Sequence, residues 1–343
     1  MFRRTPPVIR LQVFGKTDLG KTRDHNEDCF LVADLSRPEA SLGPRVRDHQ
    51  LGDRGSLLIV ADGMGGAAAG ELASEMATET IYDHMVKSWG GEPEATPQRF
   101  AYRLKEAVDV ANGRLHAFAK AHPEVRGMGT TTTAVGVLGD QVFLTQVGDS
   151  RAYLIRDGEA VQLTKDQSLM QRLVEAGELT EEEAAQSERR NIILQALGPD
   201  AKVKVDLTHQ ELRRGDMLVL CSDGLSGQVK REEMATIVAG TRDLSAACDK
   251  LVALANDRGG PDNITVVLAR FDGEGLRSSR AGEEIGHRVY PLIDTETSTE
   301  PVPIYTGSPP PVSARTTRWR LATLVVIGAV LVAAALYWAA KRP

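Results

Sequence analysis

The amino-acid sequence predicts an α+β domain, followed by a polar linker and one apolar helix. Short apolar runs that end in glycine turns are typical of buried strands, and longer segments carry apolar residues at helical spacing. With 343 residues, of which 42% are hydrophobic, the chain is long enough to bury a large core. We place the domain at residues 8–272, the linker at 273–317 and the apolar helix at 321–340.

Composition narrows the functional classes. The formal net charge is −6 and the sequence has no Lys or Arg stripe, which argues against a nucleic-acid partner. Cys29, Cys221 and Cys248 are too scattered for a disulfide framework and are interpreted as buried thiols in a reducing compartment. The N-terminus has no apolar core long enough for a signal peptide, so we expect the domain to be cytosolic.

The chain is organised around the stretch Leu57–Gly66, LLIVADGMGG. Four apolar residues lead into Asp62 and a glycine-rich turn, so an acid lies at the tip of a buried strand. Two strands are predicted before it, at Ile9–Phe14 and Cys29–Ala33. The polar segment Asp34–Ser56 is longer than most inter-strand loops and is interpreted as a mobile insertion.

Helices and strands follow the central turn. Helical spacing predicts amphipathic helices over Ala67–Met85 and Pro97–Ala121. Runs rich in β-branched residues, joined by short turns, favour an antiparallel meander of four strands: Thr130–Val137, Gln141–Gln146, Ala152–Ile155 and Ala160–Leu163. The last predicted elements are two strands and the helix between them: Met217–Leu220, Asp243–Arg258 and Ile264–Arg270.

The segment Ser168–Glu188 is predicted to be helical and is highly charged. Its residues leave two interpretations open: a solvated surface helix or a mobile element over a site. The charge pattern alone favours the solvated helix.

The C-terminal region changes character twice. Gly, Ser, Thr and Pro predominate over residues 273–317, as is typical of a flexible linker. Residues 321–340 carry no charge and, at about 1.5 Å per residue, are long enough to cross a hydrocarbon core of about 30 Å. No remaining sequence could bury this helix in a core, so we predict a single-pass membrane anchor.

Five acids occupy strand ends or glycine turns: Asp28, Asp62, Asp149, Asp223 and Asp262. A single Asp-Gly turn is commonplace, but converging carboxylates repel one another unless divalent cations neutralise them. An all-oxygen ligand set suits Mg²⁺ or Mn²⁺ better than zinc. The seven histidines show no ligand-like spacing, and His25 is assigned no role.

Six short motifs occur in order along the chain: RDHNED at 23–28, DGMGG at 62–66, GTT at 129–131, GDSR at 148–151, SDG at 222–224 and DN at 262–263. With them the chain resembles a bacterial-type metal-dependent protein phosphatase, the 2C type, over about residues 13–271. The resemblance implies a four-layer α-β-β-α sandwich of two antiparallel sheets flanked by helices. The strand and helix pattern is compatible with this sandwich and would not have established it.

The resemblance also implies the metal ligands. Asp62 would bridge two ions of Mn²⁺ or Mg²⁺, and the Gly63 carbonyl, Asp28, Asp223 and Asp262 would complete the set. The two ions would activate a water that attacks phosphorus directly, without a covalent phosphoenzyme.

Further roles are implied around these ligands. Glu27 would act through a metal-bound water, and Asp149 would hold a weaker third ion together with Asp223. Arg23 would bind the substrate phosphate, because a guanidinium offers a planar fork of donors; the alternative is a counter-charge to the acids. Some relatives carry a His after the Asp-Gly pair as a candidate general acid. This chain has Met64, so a metal-bound water is our hypothesis for the proton donor.

Two segments are interpreted again in this light. Residues 168–197 fall where relatives carry a mobile flap. The resemblance therefore favours the mobile flap over the solvated helix as the interpretation of this segment. The insertion Asp34–Ser56 departs from the compact bacterial pattern, and a surface loop without contact to substrate is favoured for it.

The leading hypothesis is a membrane-anchored phosphatase with a monomeric cytosolic domain that acts on phosphorylated Ser/Thr proteins and opposes a bacterial Ser/Thr kinase. Three alternatives stay open. A catalytically dead scaffold would be expected to lose metal acids, which this chain keeps. A hydrolase of small phosphorylated metabolites would gain little from a linker and an anchor, and a phosphatase of anti-sigma antagonists usually carries sensory domains.

Overall fold

Two antiparallel sheets pack face to face in the computed structural model, which describes residues 8–37, 47–280 and 282–292. The described residues form the strands β1 (Arg10–Asp18), β2 (Asp28–Asp34), β3 (Arg47–Gln50), β4 (Ser56–Met64), β5 (Gly129–Thr130), β6 (Thr132–Leu138), β7 (Gln141–Val147), β8 (Arg151–Arg156), β9 (Glu159–Gln162), β10 (Asp206–Glu211), β11 (Met217–Cys221) and β12 (Ile264–Asp272). One sheet has the order β3-β1-β12-β11-β8-β9. The other has the order β10-β7-β6-β4-β2, with β5 paired to β4.

Helices cover both outer faces of the sandwich. They are α1 (Ala67–His84), α2 (Pro97–Ala121), α3 (Leu169–Glu175), α4 (Glu181–Gln186), α5 (Asp223–Ser226), α6 (Arg231–Gly240) and α7 (Leu244–Asp257). The π-helical turn Met85–Trp89 extends α1. Because α1 and α2 lie on the β4 side and α5 to α7 lie on the β12 side, the predicted four-layer α-β-β-α sandwich is confirmed.

Strand β4 shows why the central apolar run is continuous. Leu58 and Val60 belong to the core between the two sheets, whereas Leu57 and Ile59 belong to the core under α1 and α2. Successive side chains of a strand point to opposite faces, so a strand buried on both faces needs apolar residues at every position.

The charged segment forms two short helices rather than one. Ser168 caps α3, and the left-handed Gly177, at φ 72°, follows the end of that helix. Thr180 and Glu183 then form a capping box that starts α4. The glycine and the second cap break what the charge pattern suggested was a single helix.

The insertion Asp34–Ser56 was wrongly interpreted as a mobile loop over part of its length. Residues 47–50 form β3 and pair with β1 at the edge of a sheet. An exposed edge strand such as RDHQ has no apolar face to reveal it in the sequence. Residues 38–46 lie outside the described part.

The predicted linker also begins too early, since residues 273–280 and 282–292 lie against the domain; we call them the C-terminal strap. Leu276 is buried in the core between the sheets. Along the edge of β10, the His209 N–H donates to the Arg288 carbonyl (2.9 Å), and the Tyr290 N–H donates to the Leu207 carbonyl (2.9 Å). The strap therefore closes an exposed sheet edge before the chain reaches residue 293.

No helix within residues 8–37, 47–280 and 282–292 is both long and apolar enough to cross a membrane. The predicted span at 321–340 lies outside these residues.

Candidate metal centre

The five acids come together because antiparallel neighbours place the start of one strand beside the end of the next. Asp28 begins β2 and stands opposite Asp62, near the end of β4. The other three lie just after β7, just after β11 and just before β12: Asp149, Asp223 and Asp262. All five therefore occupy one end of the sandwich.

Burial makes this cluster unfavourable for negative charge. Asp28 and Asp149 are only 8% and 6% exposed. Burial, with smaller contributions from the neighbouring acids, raises the pKa of each of them to about 7. Burial and the charge of Asp28 also hold the pKa of Asp62 well above its ordinary value. A divalent cation would relieve this repulsion.

Three carboxylate oxygens of the cluster are buried and have no hydrogen-bond partner among the described residues: Oδ1 of Asp28, of Asp149 and of Asp223. Buried polar atoms are nearly always paired, so unpartnered oxygens at one place fit a cation better than a structural role. As they stand, no three His, Cys, Asp or Glu side chains in the described ranges are arranged to hold an ion.

Arg23 is a cationic side chain that would compete with a metal ion for one of the acids. Its Nη2 donates to Oδ2 of Asp262 at 2.8 Å, and this hydrogen bond is the main cause of its raised pKa. The Arg23 side chain is still 49% exposed. The structure thus shows Arg23 as a counter-charge to one acid, at a position that solvent can reach.

Ser222 holds the other oxygen of Asp28. Its hydroxyl donates to Asp28 Oδ2 at 2.7 Å and accepts from the Thr265 N–H at 3.0 Å. The carboxylate is thereby oriented with Oδ1 left unpartnered. The motif SDG contains Ser222, but sequence reasoning gave it no role, because its partner is 194 residues away.

Glycines allow the close approach of backbones around Asp62. The Gly63 N–H donates to the Glu27 carbonyl at 3.1 Å. A Cβ on Gly63 would overlap the carbonyl oxygen of Gly70, so only glycine fits beside α1. This contact brings Glu27 beside the acids, where burial raises the pKa of its side chain.

The predicted flap segment, residues 168–197, leaves and re-enters the domain beside Asp149. Gln167 pairs with Gly148 twice: its N–H donates to the Gly148 carbonyl at 2.9 Å, and its side-chain oxygen accepts from the Gly148 N–H at 3.0 Å. The Leu194 N–H then donates to the Gln167 carbonyl at 2.8 Å. Both ends of the segment are thus fastened next to the Asp149 turn.

Known proteins are similar to this chain in sequence and in fold. A sequence model of the family described as Protein phosphatase 2C matches residues 46–267. The chain is 37% identical over 258 residues to a Listeria monocytogenes protein named serine/threonine phosphatase stp, covering 75% of this chain and 94% of that protein.

Solved structures agree. The catalytic domain of the serine/threonine phosphatase PstP, in complex with two manganese ions, is 35% identical with a TM-score of 0.63, covering 77% of this chain and 99% of that one. A Streptococcus agalactiae serine/threonine phosphatase is 34% identical with a TM-score of 0.66, covering 76% and 98%. The chain therefore belongs to the protein phosphatase 2C family of Ser/Thr phosphatases.

Proposed function

We propose that this chain removes phosphate from phosphoserine and phosphothreonine side chains of proteins with the help of two divalent cations. The observation that carries the proposal is the set of unpartnered, buried carboxylate oxygens beside a half-exposed arginine. A scaffold without catalysis would have no reason to keep these oxygens unpaired, since each is unfavourable to the fold.

The ligands proposed for two Mn²⁺ or Mg²⁺ ions are Asp28, Asp62, the Gly63 carbonyl, Asp223 and Asp262, with Asp62 as their common ligand. Hard oxygen donors of this kind suit either ion. When bound, the cations would lower the pKa of a water and so supply a hydroxide nucleophile at neutral pH.

Two residues are proposed to extend the centre. The Asp149 Oδ1, together with Asp223, is available to a weaker third ion. Glu27 is placed to orient a water, since its backbone is bonded to Gly63 and its side chain lies beside Gly70.

Arg23 is proposed to bind the substrate phosphate. If Asp262 held a cation, its bond to the Arg23 guanidinium would be free to break, and the guanidinium already lies at a solvent-accessible position. Its planar donors can then take two phosphoryl oxygens and stabilise the charge that develops there.

Met64 cannot donate the proton that the leaving alkoxide requires; a water held by the cations would supply it. Another side chain would replace the water in this role if its removal slowed substrates with poor leaving groups far more than substrates with good ones.

The test is hydrolysis of a phosphothreonine peptide by the full chain, with Mn²⁺ and then with chelator. Asp62→Asn and Asp223→Asn are expected to abolish turnover, because each removes a charged ligand, whereas Cys29→Ser is expected to keep it. Normal turnover in either Asp variant would contradict the assignment of these acids as metal ligands. A folded wild-type chain that releases no phosphate with any divalent metal would favour the scaffold.

We further propose that residues 321–340 anchor the chain in a membrane and that the enzyme reverses phosphorylation by a Ser/Thr kinase. The anchor is supported by an uncharged stretch of membrane-spanning length. Membrane fractionation of the full chain and of a chain ending at residue 317 tests the anchor. The full chain should resist carbonate extraction, whereas equal release of both chains would contradict the proposed anchor.

A further inference from the structure

Every polar group of the Asn263 side chain forms hydrogen bonds with the loop between β1 and β2. Its Nδ2 donates to the carbonyls of Leu19 (3.0 Å) and His25 (2.9 Å). Its Oδ1 accepts from the Glu27 N–H at 2.8 Å. The residue is only 4% exposed, so water offers no ready substitute for these three bonds.

The loop that Asn263 grips is the one that carries the substrate-side residues of the proposed site. Its first part is held by the Asn263 bond to the Leu19 carbonyl and also by the Lys21 N–H, which donates to the Gly260 carbonyl at 2.8 Å. The bonds to His25 and Glu27 hold the stretch between Arg23 and Asp28, which has no helical or strand hydrogen bonding of its own.

Asn263 also touches the other half of the cluster. Its N–H donates to Asp262 Oδ1 at 2.8 Å, and its carbonyl oxygen packs so closely on Gly224 that a Cβ there would overlap it. One residue therefore contacts the neighbours of acids from both sheets. Asn263 is therefore one of the contacts that hold the Arg23 loop near the end of β11, alongside the hydrogen bonds that the Glu27 carbonyl accepts from the Gly63 N–H and the Ser74 hydroxyl.

We propose that Asn263 is a positioning residue, which rests on the proposed function above: it fixes Arg23, Glu27 and Asp28 against Asp223 and Asp262 without touching the reacting atoms. Asparagine is suited to this role because it both donates twice and accepts once. A carboxylate of the same size could still accept from Glu27, but it would face two carbonyl oxygens with no proton to give.

The experiment compares Asn263→Asp with the wild-type full chain. The expected results are a rise of about tenfold in the KM for a phosphothreonine peptide, since Arg23 moves, and a similar rise in the Kd for Mn²⁺ by titration calorimetry. A residue that serves only the fold would lower the unfolding temperature and leave both constants unchanged.

Asn112→Asp is the matched control. Asn112 is also buried, and its side chain also joins backbone groups, donating to the Asp200 carbonyl (3.0 Å) and accepting from the Gly198 N–H (2.9 Å). It lies on α2, and neither of these bonds is to an acid of the cluster or to the Arg23 loop. We expect this variant to lose stability while keeping the wild-type KM and Mn²⁺ affinity.

A second variant, Asn263→Ala, removes the three bonds without adding charge and keeps the test open if Asn263→Asp does not fold. Wild-type KM and Mn²⁺ affinity in a folded Asn263 variant would overturn the proposal. Because calorimetry needs no turnover, an inactive wild-type chain would count against the proposed function alone, and the comparison of Mn²⁺ affinities would still decide the role of Asn263.

Discussion

The raised pKa of Asp149 shows how unfavourable a negative charge is at this buried position in the acid cluster. Burial, followed by the charge of Asp223, raises the pKa of Asp149 from its ordinary 3.8 to about 7. Between these values the folded chain holds a proton that the unfolded chain has lost. The stability of the metal-free protein therefore falls as pH rises through this window, and the full penalty is present above about pH 7.

The size of the penalty follows from the two pKa values. A rise from 3.8 to about 7 corresponds to about 4 kcal/mol, and sharing of protons with neighbouring acids makes this an upper bound. Asp149→Asn has nearly the same shape and no charge. In chelator at pH 8, we expect this variant to have a free energy of unfolding about 1 to 4 kcal/mol above that of the wild type.

Urea unfolding followed by circular dichroism, at pH 8 and pH 5 in chelator, measures the effect. The gain should shrink at pH 5, because the wild-type carboxyl group is then protonated, and saturating Mn²⁺ should reverse it by stabilising the wild type. Asp53→Asn, at an exposed acid, is the control and should change little. The reasoning fails if Asp149→Asn is no more stable than wild type at pH 8, or gains as much at pH 5.

Two further predictions concern contacts that sequence reasoning missed. Ser222→Ala removes the donor to Asp28 and should weaken Mn²⁺ binding about tenfold by calorimetry, whereas Ser222→Thr, which keeps the hydroxyl, should retain most of the affinity; equal losses in both would contradict the hydrogen-bond explanation. A chain ending at residue 272 loses the buried Leu276 side chain and the packing of the Tyr290 ring on Phe143, so its free energy of unfolding should lie roughly 2 to 5 kcal/mol below that of a chain ending at 292. Equal urea midpoints would show that the strap is a passive attachment.

Local patterns predicted most of the longer elements but missed α6, although this helix buries Met234, Ala235 and Val238. The run at β4 and the stripe on α2 each carry their own periodicity, and Thr96 and Pro97 mark the start of that helix. Strands β3 and β10 were missed because polar residues at sheet edges show no such pattern. The strap was taken for linker because its anchors, Leu276 and Tyr290, are isolated apolar residues in a polar segment.

The acids could be found one by one, but their convergence could not be derived from spacing. The contact between Asp28 and Ser222 depends on which strand ends meet across two sheets, and the two residues are 194 positions apart. Ordered motifs and a family resemblance supplied that long-range information. They favoured phosphate binding for Arg23 and kept a counter-charge to the acids as the alternative, without indicating that its partner would be Asp262.

The acids and their supports also differ in charge for a physical reason. Ser222 and Asn263 orient the acids with uncharged donors, so no fixed positive charge at these two positions competes with a cation for the carboxylates. A buried arginine at either position would stabilise the metal-free fold by neutralising an acid, and it would compete with the ion for the same oxygens. The pairing of Arg23 with Asp262 avoids this conflict because Arg23 is half exposed and can leave. With the proposed ligand set, metal binding and fold stability would be linked through the same carboxylates, and a change that stabilised the metal-free chain by neutralising them would weaken the metal centre.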